Sequence, residues 1–476
     1  MRENQVSDWH GQFRISPVPD PVEGWRSTTV GEWHVNTHAE LPHVPVTVNG
    51  REEGILLGWP IDNCLITHFE TQGVAPEQAV YTLGGRWLYV GPTSIHVDAM
   101  ASQPCVFDPA RRIAASSPGL IDAPLDHDLS NAFDVVGRDG WYPFGLTPKV
   151  GVRRLLPNHA LDLTTFSDER VHGTSVAPVS LRIAAHTVLR ALRDSGEALA
   201  PHGLYVGLTA GNDTRMLLAG LRNVSNKVSF YTGVRSTSAG NDIDLTIASL
   251  LSRKFGLSHD TPIRPSAVAS EELSEATRGW LDRTGWVRAG ARALGYIRLG
   301  SHYAFAANAV GGEIGRAMYW GRQDESGRGI SPAELVDKVR APAVSKVQSA
   351  ASKWLAPISD LDRQSVLDLL YLENRLGAWS SPAVLGGVGP PVSIYPFCRR
   401  DAVDAMLGLP PESKQKGLIA REVVKVGWPE LLSVPINRMP GLAGYKSLVI
   451  DAAKNFRFKA GSVRRRLARS FRGSAG

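Results

Sequence analysis

Between residues 176 and 260 the apolar pattern switches repeatedly between two periods, and this alternation constrains the fold more than any other feature. The stretch "VAPVSLRIAAHTVLRALRDSG" places Leu181, Ala184, Ala185, Val188, Leu189 and Leu192 at helical spacing. An apolar run at Leu204–Leu208 follows, then a helix over 213–222 and a strand in "KVSFYTGV" (227–234). A helix in "DIDLTIASLLSRKFG" (242–256) and a third strand near "HDTPIRP" complete the series. Strands separated by helices lie parallel and are joined by right-handed crossovers, so the class is α/β.

A chain of 476 residues exceeds one hydrophobic core, and its character before residue 176 is different. Residues 40–125 read as short strands with turns. "GGRWLYVGPTSIHVDA" gives two apolar runs about a Gly-Pro-Thr-Ser turn, a hairpin signal. "YPFGLTPKVGVRRLLPNHALDL" (142–163), rich in Pro and Gly, closes this layer. From about 267 onward the pattern is mostly helical, as in "SPAELVDKVRAPAVSKVQSAASKWL" and "DRQSVLDLLYLENRLGAW". The expected units are therefore 1–170 and 171–450, with the change falling at about 165–176, and a tail, 451–476. No internal repeat is visible.

Charge singles out the tail. The net charge is +6, but residues 454–476 carry eight basic residues and no acid, which leaves the rest of the chain at −2. High positive charge therefore does not make the body a nucleic-acid-binding fold. Val463, Leu467 and Phe471 recur at four-residue spacing among arginines, so the tail reads as a solvated end or a basic amphipathic helix. In the second form it suits an acidic partner, a leader peptide, a nucleic acid or an acidic membrane face. No 18-residue apolar run and no signal-peptide-like start are present. Cys64, Cys105 and Cys398 lie far apart without a CxxC, and Cys64 and Cys105 sit in apolar strand contexts that suggest inert core residues. The expectation is a cytoplasmic protein without a zinc site.

The most chemically informative stretch is "GLYVGLTAGNDTRMLLAGLR" (203–222). In an open parallel sheet, ligands sit beyond the carboxyl ends of the strands. Thr209–Thr214 occupies that end of its strand, and the next helix aims free N–H groups and its positive dipole at the loop. Thr209 and Thr214 supply hydroxyls, Gly211 allows close approach, and Asp213 suits Mg²⁺ on a pyrophosphate. The plainer alternative is that Asn212 or Asp213 merely caps the helix. The loop lacks a GK[ST] ending, and GxSxG and HExxH are absent. His202 and His259 are isolated, and Glu373 with Arg375 suggests a buried pair holding a helix in place.

Thr-Ala-Gly-Asn-Asp-Thr resembles the SGGxDS loop of the ATP pyrophosphatases that include asparagine synthetase and β-lactam synthetase. Ala210 replaces the second position's glycine; it costs about 1–2 kcal/mol if φ is positive there, and otherwise brings a methyl toward the phosphate. Further blocks are similar in order: "VSFYTG", "NDIDLTIASLLSRKFGLSHD", "NAVGGEIGRAMYW" (308–320), "SIYPFCRRDAVDAMLGLPPESK" and "WPELLSVPINRMPG". "GGRWLYVGPTSIHVDAMASQPCVFDPARRIAASSPGLI" resembles the family's glutaminase domain. That family resemblance implies an Ntn-hydrolase-like α/β/β/α sandwich followed by a parallel-sheet, HUP-like ATP-pyrophosphatase domain with many helices. Active glutaminases use a cysteine at the mature N-terminus, whereas this sequence begins Met-Arg-Glu-Asn-Gln, so glutamine hydrolysis is not expected.

What the resemblance implies is an AMP-forming ligase or cyclase, similar to β-lactam synthetases and lasso-peptide cyclases. It would use ATP and Mg²⁺ to join a carboxylate-bearing small molecule or peptide to an amine other than ammonia from glutamine. Thr209, Gly211, Asn212 and Thr214 would cradle the pyrophosphate and Arg215 would touch a phosphate. Leu208, Phe230, Tyr231 and Thr232 would frame adenine, while Asp213 and Glu313 would hold magnesium. The family usually has Asp before that glutamate, where this chain has Gly312. Lys414 or Lys416, with Lys446 as a third candidate, would neutralise the departing pyrophosphate. Two other classes compete: a weakened homologue acting as a binding scaffold, and a nucleic-acid-modifying ligase recruited through the tail.

Overall fold

The computed structural model describes residues 9–136, 140–233, 243–262, 270–288, 302–321, 324, 329–387 and 389–439, with side chains of the helix Ser270–Thr284 from 277 onward. Lys446 and the tail 451–476 lie outside the described residues. The architecture is mixed α/β with three sheets, one of them parallel throughout.

Residues 13–170 build the two other sheets. A six-stranded antiparallel sheet runs Arg153–Leu155, Cys105–Asp108, Ile113–Ala115, Phe13–Ser16, Trp33–His38, Trp25–Val30. Its seven-stranded neighbour runs Ser167–Arg170, His159–Asp162, Ser94–Val97, Gly84–Val90, Arg51–Ile61, His43–Val48, Phe69–Thr71. The strand Gly84–Val90 shows why they form layers. Leu88 and Val90 enter a core shared with Phe13, Ile15 and Val35 of the other sheet, while Trp87 and Tyr89 enter a second core with Val44, Val46 and Leu56. Successive side chains point to opposite faces, so a strand buried at every position is covered on both. The expected hairpin is present: Gly84–Val90 pairs antiparallel with Ser94–Val97, and the Gly91 N–H donates to Ser94 O at 2.9 Å. Cys105 is buried in its strand, but Cys64 is exposed, contrary to expectation. It falls in the turn after Arg51–Ile61, where the chain leaves the sheet.

Beyond this region the helix Leu181–Leu199 starts at Ser180, whose hydroxyl accepts from the Ile183 N–H. Its helical-period residues Ala184, Ala185, Val188, Leu189 and Leu192 are buried, with Leu181 half-buried. The parallel sheet then runs Ser258–Asp260, Ser229–Tyr231, Leu204–Gly207, Phe305–Ala307, Val392–Ile394. Its first three strands match the sequence pattern; the last two, three residues each, were not expected. Strand order progresses outward from Leu204–Gly207 in one direction and then restarts on its other side with Phe305–Ala307. The loops after these two strands therefore diverge and leave a crevice, which is where open α/β sheets bind ligands.

One wall of that crevice is a π-helical stretch, Leu370–Ser380, continuing the helix Arg363–Leu369. Such wide turns are rare and cluster at functional sites. Glu373 anchors it. Its buried carboxylate pairs with Arg170, and accepts from Asn158 Nδ2 at 2.8 Å and Trp354 Nε1 at 2.7 Å. The expected Glu373–Arg375 pair is thus replaced by one with the sandwich, because residues two apart on a helix face different directions. Arg375 lies instead on the ring of Trp379, at 3.6 Å.

Candidate functional site

The helix Asn212–Gly220 follows the strand Leu204–Gly207 after the short loop 208–211, with Gly211 as its N-cap. Glycine has no side chain to offer, and no side-chain bond caps this end. The capping alternative for Asn212 and Asp213 is thereby excluded, since both lie inside the first turn. That first turn faces a 460 Å³ cavity lined by Thr209, Gly211, Asp213 and Thr214. An uncapped helix start beside a cavity is a favourable place for an anion. The two hydroxyls are preorganised, Thr209 Oγ1 and Thr214 Oγ1 lying 2.9 Å apart.

Ala210 does not crowd this cavity. It is fully buried in the main core, its φ is not positive, and its N–H donates to Asp244 Oδ1 at 2.9 Å. Neither cost foreseen for the glycine-to-alanine change arises, because the methyl points away from the loop's open side.

Asp213 and Glu313 meet across the cavity, Glu313 coming from the 3₁₀ turn Gly312–Gly315 that follows the unexpected strand Phe305–Ala307. Arg316 Nη2 lies 2.7 Å from Asp213 Oδ2 and 3.6 Å from Glu313 Oε1. The Tyr371 hydroxyl donates to Glu313 Oε2 at 2.9 Å. Burial, and then the Glu313 charge, raise the Asp213 carboxyl well above its ordinary range against the pull of Arg316. Burial and the same carboxylate push the Tyr371 hydroxyl up as well. Asp213 Oδ1 is buried without a hydrogen-bond partner. An orphaned carboxylate oxygen beside a second carboxylate fits a cation shared with phosphate oxygens, the usual manner of Mg²⁺. Among the described residues no group of three or more His, Cys, Asp or Glu forms a self-sufficient metal centre.

The glycine at 312 has a local cause. A Cβ there would lie 2.5 Å from Asp213 Oδ1 and 2.9 Å from its Cβ and Cγ. A carboxylate at 312 would displace the one at 213.

Other expected residues lie elsewhere. Arg215 is wholly buried and turns from the cavity; its guanidinium donates to the carbonyls of Leu431 (2.8 Å), Val434 (3.0 Å) and Pro435 (3.1 Å). It pins the 431–435 segment and touches no ligand space, because the residue sits on the core side of its helix. Leu208, Phe230, Tyr231 and Thr232 do not line the cavity. Phe230 is core, and the Leu208 N–H and C=O are taken by Tyr231 O (2.8 Å) and the Thr232 hydroxyl (2.7 Å). Lys416 is exposed and paired with Glu412 one helical turn away. Lys414 is buried, paired with Asp368 and bonded to Leu407 O. Neither lysine borders the cavity.

What the sequence reading missed is the opposite wall. Tyr371, Arg375 and Trp379 project from successive turns of the π-helical stretch, facing Trp280, Trp286 and Met318. Trp286 meets Trp280 edge-on at 4.9 Å and stacks on Trp379 at 6.3 Å. The four-residue spacing in "YLENRLGAW" is visible in the sequence, but an ordinary helix would rotate these residues differently. The cavity thus has an acidic, hydroxyl-rich end and an aromatic end.

No family model matches the chain, and no significant match to a curated protein was found.

Proposed function

We propose that the cavity binds ATP with Mg²⁺ and that the chain is an ATP-dependent, AMP-forming amide ligase or cyclase. In this reading the parallel-sheet region is a HUP-like ATP-pyrophosphatase domain and the paired sheets are an Ntn-hydrolase-like sandwich. The observation that carries it is the convergence of an uncapped helix start, Asp213 and Glu313 at the crevice of the parallel sheet. ATP supplies the leaving group: a substrate carboxylate oxygen bonds to the α-phosphorus, pyrophosphate leaves, and an amine then displaces AMP from the carbonyl carbon.

The chain's own residues have definite tasks. Thr209, Thr214 and the first-turn amides hold phosphate oxygens, while Asp213 and Glu313 hold the metal. Mg²⁺ would supply charge neutralisation at the phosphates when held by Asp213 and Glu313, and Arg316, which lies beside both carboxylates, would add its positive charge there. The aromatic end receives the acyl or amine body and excludes water, and bringing the two reactants together supplies much of the rate. The Tyr371 hydroxyl, donating to Glu313 Oε2, orients this carboxylate. Two of the three cysteines are poor nucleophiles in this reading: burial pushes the Cys105 thiol up to about 12 and raises Cys398 as well.

A binding protein without turnover is the second reading, favoured by Arg316 already neutralising the two carboxylates. Calorimetric titration with ATP and Mg²⁺, against AMP and GTP, tests both. Saturable ATP binding, lost in Asp213→Asn, is expected, and pyrophosphate release with candidate acids then separates ligase from scaffold. Absence of binding at millimolar ATP would count against the ligase reading and favour the scaffold.

A further inference from the structure

A second cavity, of 610 Å³, lies where the sandwich meets the helix Ser345–Leu355. It shares no lining residue with the crevice site. Basic side chains outnumber acidic ones along it, with Asp126 and Asp168 as the carboxylates on its lining. Arg153, Arg170 and Lys346 border it and are paired with Asp168, Glu373 and Asp126. Lys149, Arg154 and Lys353 also border it, and among the described residues none of these three has a carboxylate within ion-pair distance. Lys149 gives its ammonium to the carbonyl of Ile121, with Asp122 and Asp282 as its nearby carboxylates.

Arg154 is the residue that demands an occupant. It is 3% exposed, and its Nε and Nη1 are buried without any hydrogen-bond partner. Guanidinium groups are rarely left so, because an uncompensated buried charge is strongly destabilising. The backbone does hold the residue in place: strand Arg153–Leu155 pairs with Cys105–Asp108, and the Arg154 N–H donates to Gly145 O at 2.8 Å. Part of the wall is apolar, with Phe144 and Trp354 rings 5.9 Å apart and Leu156 beside them, while Thr147, His159 and Ser349 also border the cavity.

We infer that this cleft is a ligand site for a small organic anion, whose phosphate or carboxylate head pairs with Arg154 and Lys149 and whose apolar body lies against Phe144 and Trp354. The volume is that of a small-molecule site and exceeds what a bare inorganic ion fills. The inference is independent of the proposed ligase reaction.

The test is thermal denaturation of the full chain with phenyl phosphate, benzoate and inorganic phosphate as probes. Wild type and Asp213→Asn should both show a saturable rise in melting temperature with phenyl phosphate or benzoate, larger than with inorganic phosphate. Phenyl phosphate alone would assign a phosphate head, and benzoate alone a carboxylate head. Arg154→Met should weaken the effect more than about tenfold and should melt no lower than wild type without ligand, since it removes an unpaired buried charge. A fall in the unliganded melting temperature of Arg154→Met would make Arg154 structural and overturn the inference. So would an equal probe effect in that variant, an equal effect from inorganic phosphate, or no effect in wild type.

Discussion

Gly312→Ala isolates the contact on which the crevice site depends. The backbone at 312 accepts alanine, since its φ is not positive, so the only new feature is the methyl. That methyl would stand 2.5 Å from Asp213 Oδ1 and force the carboxylate to turn, breaking its 2.7 Å bond to Arg316. Crowding of this kind costs about 1–3 kcal/mol. A lost charged hydrogen bond costs a similar amount, about 1.5–3 kcal/mol. Because turning the carboxylate relieves the crowding, the net loss is about 2 kcal/mol, read as a lower urea midpoint. Calorimetry with Mg²⁺ and ATP should show affinity falling with it. Gly315→Ala is the matched control: its methyl would lie 2.9 Å from Ile419 Cγ2 and away from Asp213. It should lower stability while leaving ATP affinity intact. If Gly312→Ala binds ATP as wild type does, or Gly315→Ala loses binding equally, Asp213 is not positioned by this contact and the reasoning fails.

Removing Glu373 alone (Glu373→Leu) should cost about 3–5 kcal/mol by stranding Arg170, whereas Glu373→Leu with Arg170→Met should recover most of it; a urea double-mutant cycle reads the coupling. Arg215→Met should lose about 2–3 kcal/mol, because three carbonyls lose a charged donor. The folded variant should bind ATP unchanged, and a large affinity loss would restore Arg215 to the ligand site. Burial lowers His96 to about 4, so the folded chain binds this proton more weakly than the unfolded one. Its stabilising contribution is complete above about pH 6.5 and is lost as pH falls toward 4, to a maximum of about 3 kcal/mol. Denaturation of His96→Gln across that window should show a flatter slope than wild type.

Local periodicity carried a good deal of this fold. The helix Leu181–Leu199, the strand Leu204–Gly207 and the hairpin Gly84–Val90 with Ser94–Val97 are legible because apolar spacing at 3.6 or 2 residues is a property of the segment alone. Thr209–Thr214 was legible as a strand-to-helix loop for the same reason, and Asp213 by its place in that loop, whereas Glu313 was reached only through the resemblance of its segment to other proteins. The strands Phe305–Ala307 and Val392–Ile394 were not legible: three residues are too few to show a period, and each is stabilised by partners about 90 to 100 positions away. The direction of individual side chains was equally hidden. Arg215 beside the loop points into the core, and Lys414 is buried with Asp368, because a charged residue's place depends on which partner the folded chain supplies.

The sequence by itself determined that a parallel α/β segment exists and that one of its loops is chemically suited to an anion. Only the tertiary structure decided that Phe305–Ala307 docks beside Leu204–Gly207, opening the crevice and setting Glu313 opposite Asp213. It also decided that the π-helical wall brings Tyr371, Arg375 and Trp379 onto one side. Periodicity is encoded over a few neighbouring residues, whereas the meeting of carboxylates 100 positions apart follows from the burial of strands that have no local signature.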